Sequence, residues 1–156
     1  LSDFLRMTLG LGEKASVPLS EELTLLHKFL AVEKIRFGVR LDMREQIAPE
    51  ALDCIVPPLL LQPLVENADT HGISALPEGG WIRLNVAQPS PETLHVEVEN
   101  TFDPDAPVRR KSGLGLKIVQ QRLEARYGTR AAFAISRDDS RFRVTMDIPA
   151  ERTPLS

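Results

Sequence analysis

The chain has 156 residues, 42% of them hydrophobic and 26% charged, which suits one folded domain with a packed core. A formal net charge of −3 gives no reason to expect nucleic acid as a partner. A single cysteine, Cys54, excludes an internal disulfide framework, and its apolar neighbours predict a buried packing residue. No apolar run is long enough to span a bilayer, so we expect no membrane contact from this segment.

The first third of the chain predicts helices followed by a strand. Apolar spacing over 1–9 is typical of the end of an amphipathic helix. A longer helix is predicted over 20–38, with Ser20 as its N-cap and Glu22 among the acidic residues that favour its dipole. Alternating apolar and charged residues over 39–47 predict a strand.

The segment 59–72, LLLQPLVENADTHG, predicts a largely buried helix with a polar end. Asn67 and His71 are four residues apart and would share one face of that helix. An Asn side chain there can supply an oxygen to a hard cation such as Mg²⁺, which takes few protein ligands. The alternative is an Asn that caps a core helix.

The second half of the chain changes to a period of two residues. Strands are predicted over 82–86, 94–98, 131–135 and 142–148, with a helix from Leu114 to cover them. This order predicts an α+β fold of two layers, with a mainly antiparallel sheet covered by helices on one face. The glycine-rich turn that opens the helix suits phosphate binding, because free N–H groups face the ligand there.

The two motifs in this order resemble the N-box and G2-box of the Bergerat-type (GHKL) ATPases. More closely, 17–38 and 56–73 resemble the LytS/YehU type of sensor histidine kinase, in which "EE…YL.IE..RF" precedes "P.LLLQPLVENAIKHGI". The resemblance extends over about 1–149. It implies a two-layer Bergerat fold that binds ATP and Mg²⁺.

The resemblance makes Asn67 the Mg²⁺ ligand. Glu66 lies about 100° further round the helix, and a catalytic carboxylate and a surface or capping carboxylate are equally open readings. Some relatives carry a general base one turn before the Asn, where this chain has Pro63, which favours phosphoryl transfer over ATP hydrolysis. Thr70 stands where Lys is more common, and His71 is expected to line the pocket or contact phosphate.

Three departures from the family pattern fall at the adenine end. Asn100 takes the place of an Asp that accepts from the adenine amino group, and its amide oxygen can still accept. Phe102 replaces a glycine and would fill space or stack on the base. Phe142 stands where a pocket Thr is common.

The phosphate end resembles the family's GTGLGL turn, with Lys in place of the first glycine. The implied contacts come from Lys111, Ser112, Gly113, Leu114, Gly115 and Leu116.

The expected organisation has three parts. Residues 1–38 form a helical segment that follows the phosphoacceptor helix, 39–150 the ATP-binding catalytic domain, and 151–156 a loose tail. The family's acceptor motif, similar to "NPHFLFN", does not occur here. His27 is expected on a packing face, and His95 is expected to point outward from a strand.

The resemblance therefore implies an ATP-dependent protein-histidine kinase that lacks its own acceptor histidine. Its implied partners are the phosphoacceptor helix of the same kinase, in a homodimer at full length, and a response regulator. The implied location is a cytoplasmic domain of a membrane-anchored protein. A degenerate, non-catalytic nucleotide-binding or interaction module of the same fold remains the alternative. An ATPase or serine kinase of the superfamily is disfavoured by Pro63 and the VPLSEEL helix.

Overall fold

The structure is a computed structural model, and it describes residues 16–37, 41–71, 79–102, 105 and 114–152. Within these ranges the side chains of 36, 37, 69–71 and 114 are not described. The described residues form three α-helices: α1 (Leu19–Phe37), α2 (Leu61–His71) and α3 (Leu114–Tyr127). The strands are β1 (Val17–Pro18), β2 (Leu41–Ile47), β3 (Cys54–Val56), β4 (Gly80–Ser90), β5 (Thr93–Thr101), β6 (Ala132–Arg137), β7 (Arg141–Pro149) and β8 (Glu151–Arg152).

A five-stranded sheet in the order β2-β4-β5-β7-β6 forms one layer of the fold. Only the β2–β4 pair is parallel, and the other three pairs are antiparallel. This confirms the predicted mainly antiparallel sheet and all five of its predicted strands. Alternating apolar and polar residues identified these strands because one face of each central strand is buried, which gives the sequence a period of two residues.

The three helices form the second layer and share one core with the sheet. Helix α1 contributes residues such as Leu23 and Leu26, α2 contributes Leu64, and α3 contributes Val119 and Leu123. The helices therefore cover one face of the sheet, as predicted. In the part of the chain that the structure describes, no helix is long and apolar enough to cross a membrane.

Two details of α1 correct the sequence-based expectations. The helix begins at Leu19, so Ser20 lies inside its first turn and is not the N-cap, and its N–H donates to the carbonyl oxygen of Leu52 at 3.2 Å. His27 does not lie on a packing face. Its side chain is 55% exposed, and Nε2 lies 2.8 Å from a carboxylate oxygen of Glu45 on β2.

The face of the sheet that points away from the helices carries ion pairs. Glu99 on β5 is fully buried there. Its carboxylate contacts Arg83 on β4 at 3.0 Å and Arg143 on β7 at 2.7 Å. His95 also lies on this face, as predicted, with Nδ1 2.7 Å from Asp147.

A second, three-stranded sheet in the order β1-β3-β8 was not predicted. Cys54 lies in β3 and is fully buried, which confirms its packing role. Glu151 and Arg152 pair with β3, so these two residues belong to the fold rather than to a loose tail. Residues 153–156 lie outside the described part of the chain, as does the predicted helical pattern over 1–9.

Candidate functional site

Helix α2 carries Asn67 at its polar end, as the sequence predicted. The helix is amphipathic: Leu64, Val65 and Ala68 are fully buried or nearly so. Asn67 is partly exposed and Glu66 is exposed, and the two side chains point about 100° apart. Glu66 is exposed, which is compatible with both readings of this carboxylate, so its catalytic role stays a prediction. The side chains of Thr70 and His71 lie outside the described part, so their predicted contacts stay predictions.

Glu22 of α1 caps the start of α2, a role that the sequence analysis did not predict. Glu22 of α1 was expected to favour the dipole of its own helix, but its carboxylate accepts from the backbone N–H groups of Leu59, Leu60 and Leu61. Burial raises the pKa of Glu22 above its usual 4.5, against the lowering effect of these donors and of Arg122. The carboxylate is 2% exposed and satisfies N–H groups that the first turn of a helix otherwise leaves unpaired.

Helix α3 begins beside α2. A Cβ atom built on Gly115 would lie 3.8 Å from both Cβ and the carbonyl oxygen of Pro63. Pro63 and Asn67 are four residues apart and share a face of α2. The amino-terminal turn of α3 therefore lies one helical turn from Asn67, and the fold brings together the two motifs that the sequence singled out.

The adenine-end residue Asn100 lies on β5, on the same face of the sheet as the core residues Val96 and Val98. Its side chain is 2% exposed and donates an N–H to the carbonyl oxygen of Thr101 at 2.9 Å. The amide oxygen of Asn100 is buried and has no hydrogen-bond partner among the described residues. A buried, unpaired acceptor is costly in the free protein, and an amino group of a ligand would satisfy it.

A row of side chains crosses the sheet at the level of Asn100. The register pairs Asn100 with Phe142 on β7, and Phe142 with Arg137 on β6. The guanidinium of Arg137 lies 5.2 Å from the ring centre of Phe102. Phe102 therefore has a cation on one face, which leaves both predicted uses of its ring open. Sequence reasoning missed Arg137, because nothing local relates it to a residue 35 positions earlier.

The remaining predicted phosphate contacts fall largely outside the described part of the chain. Lys111, Ser112 and Gly113 are not described, and Leu114 is described only in its backbone. Leu116 is 4% exposed, which makes it a core residue whose backbone alone could face a ligand.

The residues present fit one magnesium ion bound together with phosphates. Mg²⁺ usually keeps several waters and takes one or two protein oxygens plus substrate phosphates. Asn67 offers such an oxygen at a partly exposed position. Among the residues that the structure describes, no group of three or more His, Cys, Asp or Glu could hold a metal on its own.

Comparisons with known proteins agree with this geometry. A family model described as histidine kinase matches residues 1–41. Sensor histidine kinase BtsS of Escherichia coli is 33% identical over 96% of this chain, and sensor protein LytS of Oceanobacillus iheyensis is 32% identical over 64%. The chain spans 26% of the length of BtsS and 17% of that of LytS.

Among solved structures, the catalytic domain of histidine kinase ThkA superposes with a TM-score of 0.65 at 19% identity. The match covers 87% of this chain and 97% of that one. ThkA has also been solved in complex with the response regulator protein TrrA, a structure that matches with a TM-score of 0.62 and 15% identity over 96% of this chain and 47% of that one.

The fold is that of a histidine kinase catalytic domain. In sequence the chain is similar to the sensor histidine kinases BtsS and LytS.

Proposed function

We propose that this chain binds ATP with Mg²⁺ and transfers the γ-phosphoryl group to a histidine that lies outside residues 1–156. In that reaction an imidazole nitrogen attacks the γ-phosphorus, the P–O bond to the β-phosphate breaks, and ADP leaves with the bonding electrons. The protein supplies little covalent chemistry in such a transfer, so its contribution is positioning and charge neutralisation.

The observation that carries the proposal is the proximity of Gly115 to Pro63, one turn from Asn67, where an added Cβ atom would lie 3.8 Å from Pro63. It puts the amino-terminal turn of α3, where N–H groups and the helix dipole favour anions, beside a candidate Mg²⁺ ligand. The amide oxygen of Asn67 would hold the metal against the phosphates. The metal would neutralise charge on the phosphoryl group as it is transferred.

The base would lie against β5. The amide oxygen of Asn100 has no hydrogen-bond partner among the described residues. This supports an exocyclic amino group as its ligand, which adenine has at this edge and guanine does not. The amide N–H of Asn100 donates to the carbonyl oxygen of Thr101, which orients the side chain. This supports a preference for ATP over GTP.

Slow hydrolysis is part of the same proposal. A water-orienting carboxylate one turn before Asn67 is replaced by Pro63, whose ring cannot accept a proton. The bound ATP would therefore persist until an acceptor imidazole arrives. The partners proposed are the phosphoacceptor helix of the same kinase, in a homodimer, and a response regulator like the one solved with ThkA. We also propose that the full-length protein is membrane-anchored, with this domain in the cytoplasm.

The test is a titration of the chain with ATP, in Mg²⁺ and in EDTA, for the wild type and Asn67→Ala. We expect Mg²⁺ to tighten binding in the wild type and to have little effect in the variant, while both melt at similar temperatures. An unchanged Mg²⁺ dependence in Asn67→Ala would exclude Asn67 as the ligand.

A second experiment tests transfer. The chain alone should bind ATP without labelling itself from γ-labelled ATP. Addition of the family's acceptor helix as a separate peptide should give an acid-labile phosphohistidine on that peptide. Label on His27, His71 or His95 of the chain would contradict the proposal, and no label on the peptide would favour the non-catalytic module.

A further inference from the structure

The first turn of α2 is capped from another helix. Glu22 lies on α1, 37 positions before the nearest of its partners, and its Oε2 accepts from the N–H of Leu59 at 3.1 Å. Its Oε1 accepts from Leu60 and, at 3.1 Å, from Leu61. Capping groups normally come from the residue just before the helix. Here a tertiary contact has taken over that role.

The turn that Glu22 holds is in a conformation that its residues would rarely adopt alone. Leu59 has φ of 61°, in the left-handed region that non-glycine residues seldom occupy. A second tie comes from α3, where Arg122 donates to the carbonyl oxygen of Pro58. Such a conformation persists only where the surroundings fix it, and here the surroundings are side chains from α1 and α3.

The orientation of Asn67 depends on this turn. A helix is a stiff rod that rises about 1.5 Å per residue, so the direction set at Leu60 and Leu61 determines where Asn67 lies, about two turns further on. Among the described residues, backbone N–H groups donate hydrogen bonds to the Glu22 carboxylate, and Glu22 is 2% exposed. Its effect on a nucleotide bound at Asn67 would therefore be indirect.

We propose that Glu22 is a positioning residue for the candidate metal site. It fixes the start of α2 so that Asn67 faces the amino-terminal turn of α3, and it makes α1 and Asn67 move together. What Asn67 binds rests on the proposed function above, whereas the mechanical link between Glu22 and Asn67 does not.

The test compares Glu22→Gln with Glu21→Gln. Glu21 is exposed and adjacent, so its substitution controls for the loss of one negative charge in the same turn. Glutamine can keep one oxygen for Leu60 and Leu61, but its amide nitrogen would face the N–H of Leu59 and lose that bond. Thermal melting first establishes a temperature at which both variants are folded.

The first measurement needs no nucleotide. In NMR spectra of isotope-labelled chain, Glu22→Gln should shift the side-chain amide signals of Asn67, and Glu21→Gln should leave them in place. Unchanged Asn67 signals in Glu22→Gln would overturn the link. Should Glu22→Gln fail to fold, the double variant Glu22→Gln/Leu59→Gly replaces it, because glycine adopts the left-handed turn without strain. The same shift is expected there.

The second measurement separates positioning from general stabilisation. ATP affinity is measured in Mg²⁺ and in EDTA at the chosen temperature. We expect Glu22→Gln to bind ATP several-fold more weakly than the wild type in Mg²⁺ and with the same affinity as the wild type in EDTA. An equal loss under both conditions would mean that Glu22 only stabilises the fold. If the wild type shows no gain from Mg²⁺, the proposed function fails, and the Asn67 signals still decide the positioning role.

Discussion

Replacement of Gly115 by alanine tests whether the chain needs glycine at this position for its fold or for ATP binding. The added Cβ would lie 3.8 Å from Pro63, an ordinary contact, so the fold should accept it. Glycine in a helix costs about 0.5–1 kcal/mol relative to alanine. We therefore expect Gly115→Ala to melt about 1–4 °C higher, using the scaling for a chain of this size.

ATP binding by Gly115→Ala should weaken, although the melting temperature rises. The phosphates are proposed to approach the N–H groups in the first turn of α3, and the added methyl group would lie beside that turn, on the side that faces α2. Loss of one hydrogen bond to a charged phosphate costs roughly 1.5–3 kcal/mol, which corresponds to about ten- to hundredfold weaker binding. Calorimetric titration with ATP and Mg²⁺ measures this change, and scanning calorimetry measures the melting temperature.

Gly128 provides the matched control just beyond the other end of α3. It has φ of 61°, and a Cβ atom added there would meet no atom within 4 Å, so alanine at this position is strained only by its backbone. Gly128→Ala should lower the unfolding free energy by about 1–2 kcal/mol and leave ATP affinity unchanged. If Gly115→Ala binds ATP with wild-type affinity, the phosphate assignment is refuted. If both variants lose the same ATP affinity, the loss comes from a general change in stability.

Buried groups give three further predictions. Because burial raises the pKa of Glu22 above 4.5, the wild type should lose stability relative to Glu22→Gln as pH rises from below 4.5 through the raised folded-state pKa. Chemical denaturation across that range measures this, and a relative gain in wild-type stability with rising pH would show a lowered pKa instead. Burial also raises the pKa of the Cys54 thiol, so a thiol reagent should modify the native chain far more slowly than the denatured chain; equal rates would contradict the buried position. Asn100→Asp would put a carboxylate oxygen beside the Thr101 carbonyl, so the free chain should lose about 1–3 kcal/mol of unfolding free energy. That loss should be larger at neutral than at acidic pH, and denaturation curves that match the wild type at both would mean that the side chain is not held by Thr101.

The sequence predicted those features that local patterns encode. The strands over 82–86, 94–98 and 142–148 were correct because burial of one face imposes alternation on each strand by itself. Asn67 and Gly115 could be selected as candidates for a related reason, since a polar residue on an apolar helix and a glycine at a helix start are both visible in short windows.

What the sequence did not predict depends on residues that are far apart in the chain. His27 was misplaced because its partner, Glu45, lies on a strand 18 positions away, and helical periodicity cannot show that pairing. The role of Glu22 was missed for the same reason: an acidic residue in a first turn is ordinarily explained by its own helix. The proximity of Gly115 to Pro63 depends on how two helices cross, which is a property of the assembled core.

The ion pairs behind Asn100 have a mechanical consequence. Glu99, the preceding residue on β5, is clamped on the opposite face of the sheet to Arg83 and Arg143 on the two neighbouring strands. Shear between β5 and either neighbouring strand would break a hydrogen bond to a carboxylate that is fully buried, and a buried charge is costly to leave unpaired. These ion pairs therefore fix the position of β5, which carries the proposed acceptor Asn100. Substitution of Arg83 or Arg143, on the opposite face of the sheet, should reduce the proposed preference for ATP over GTP.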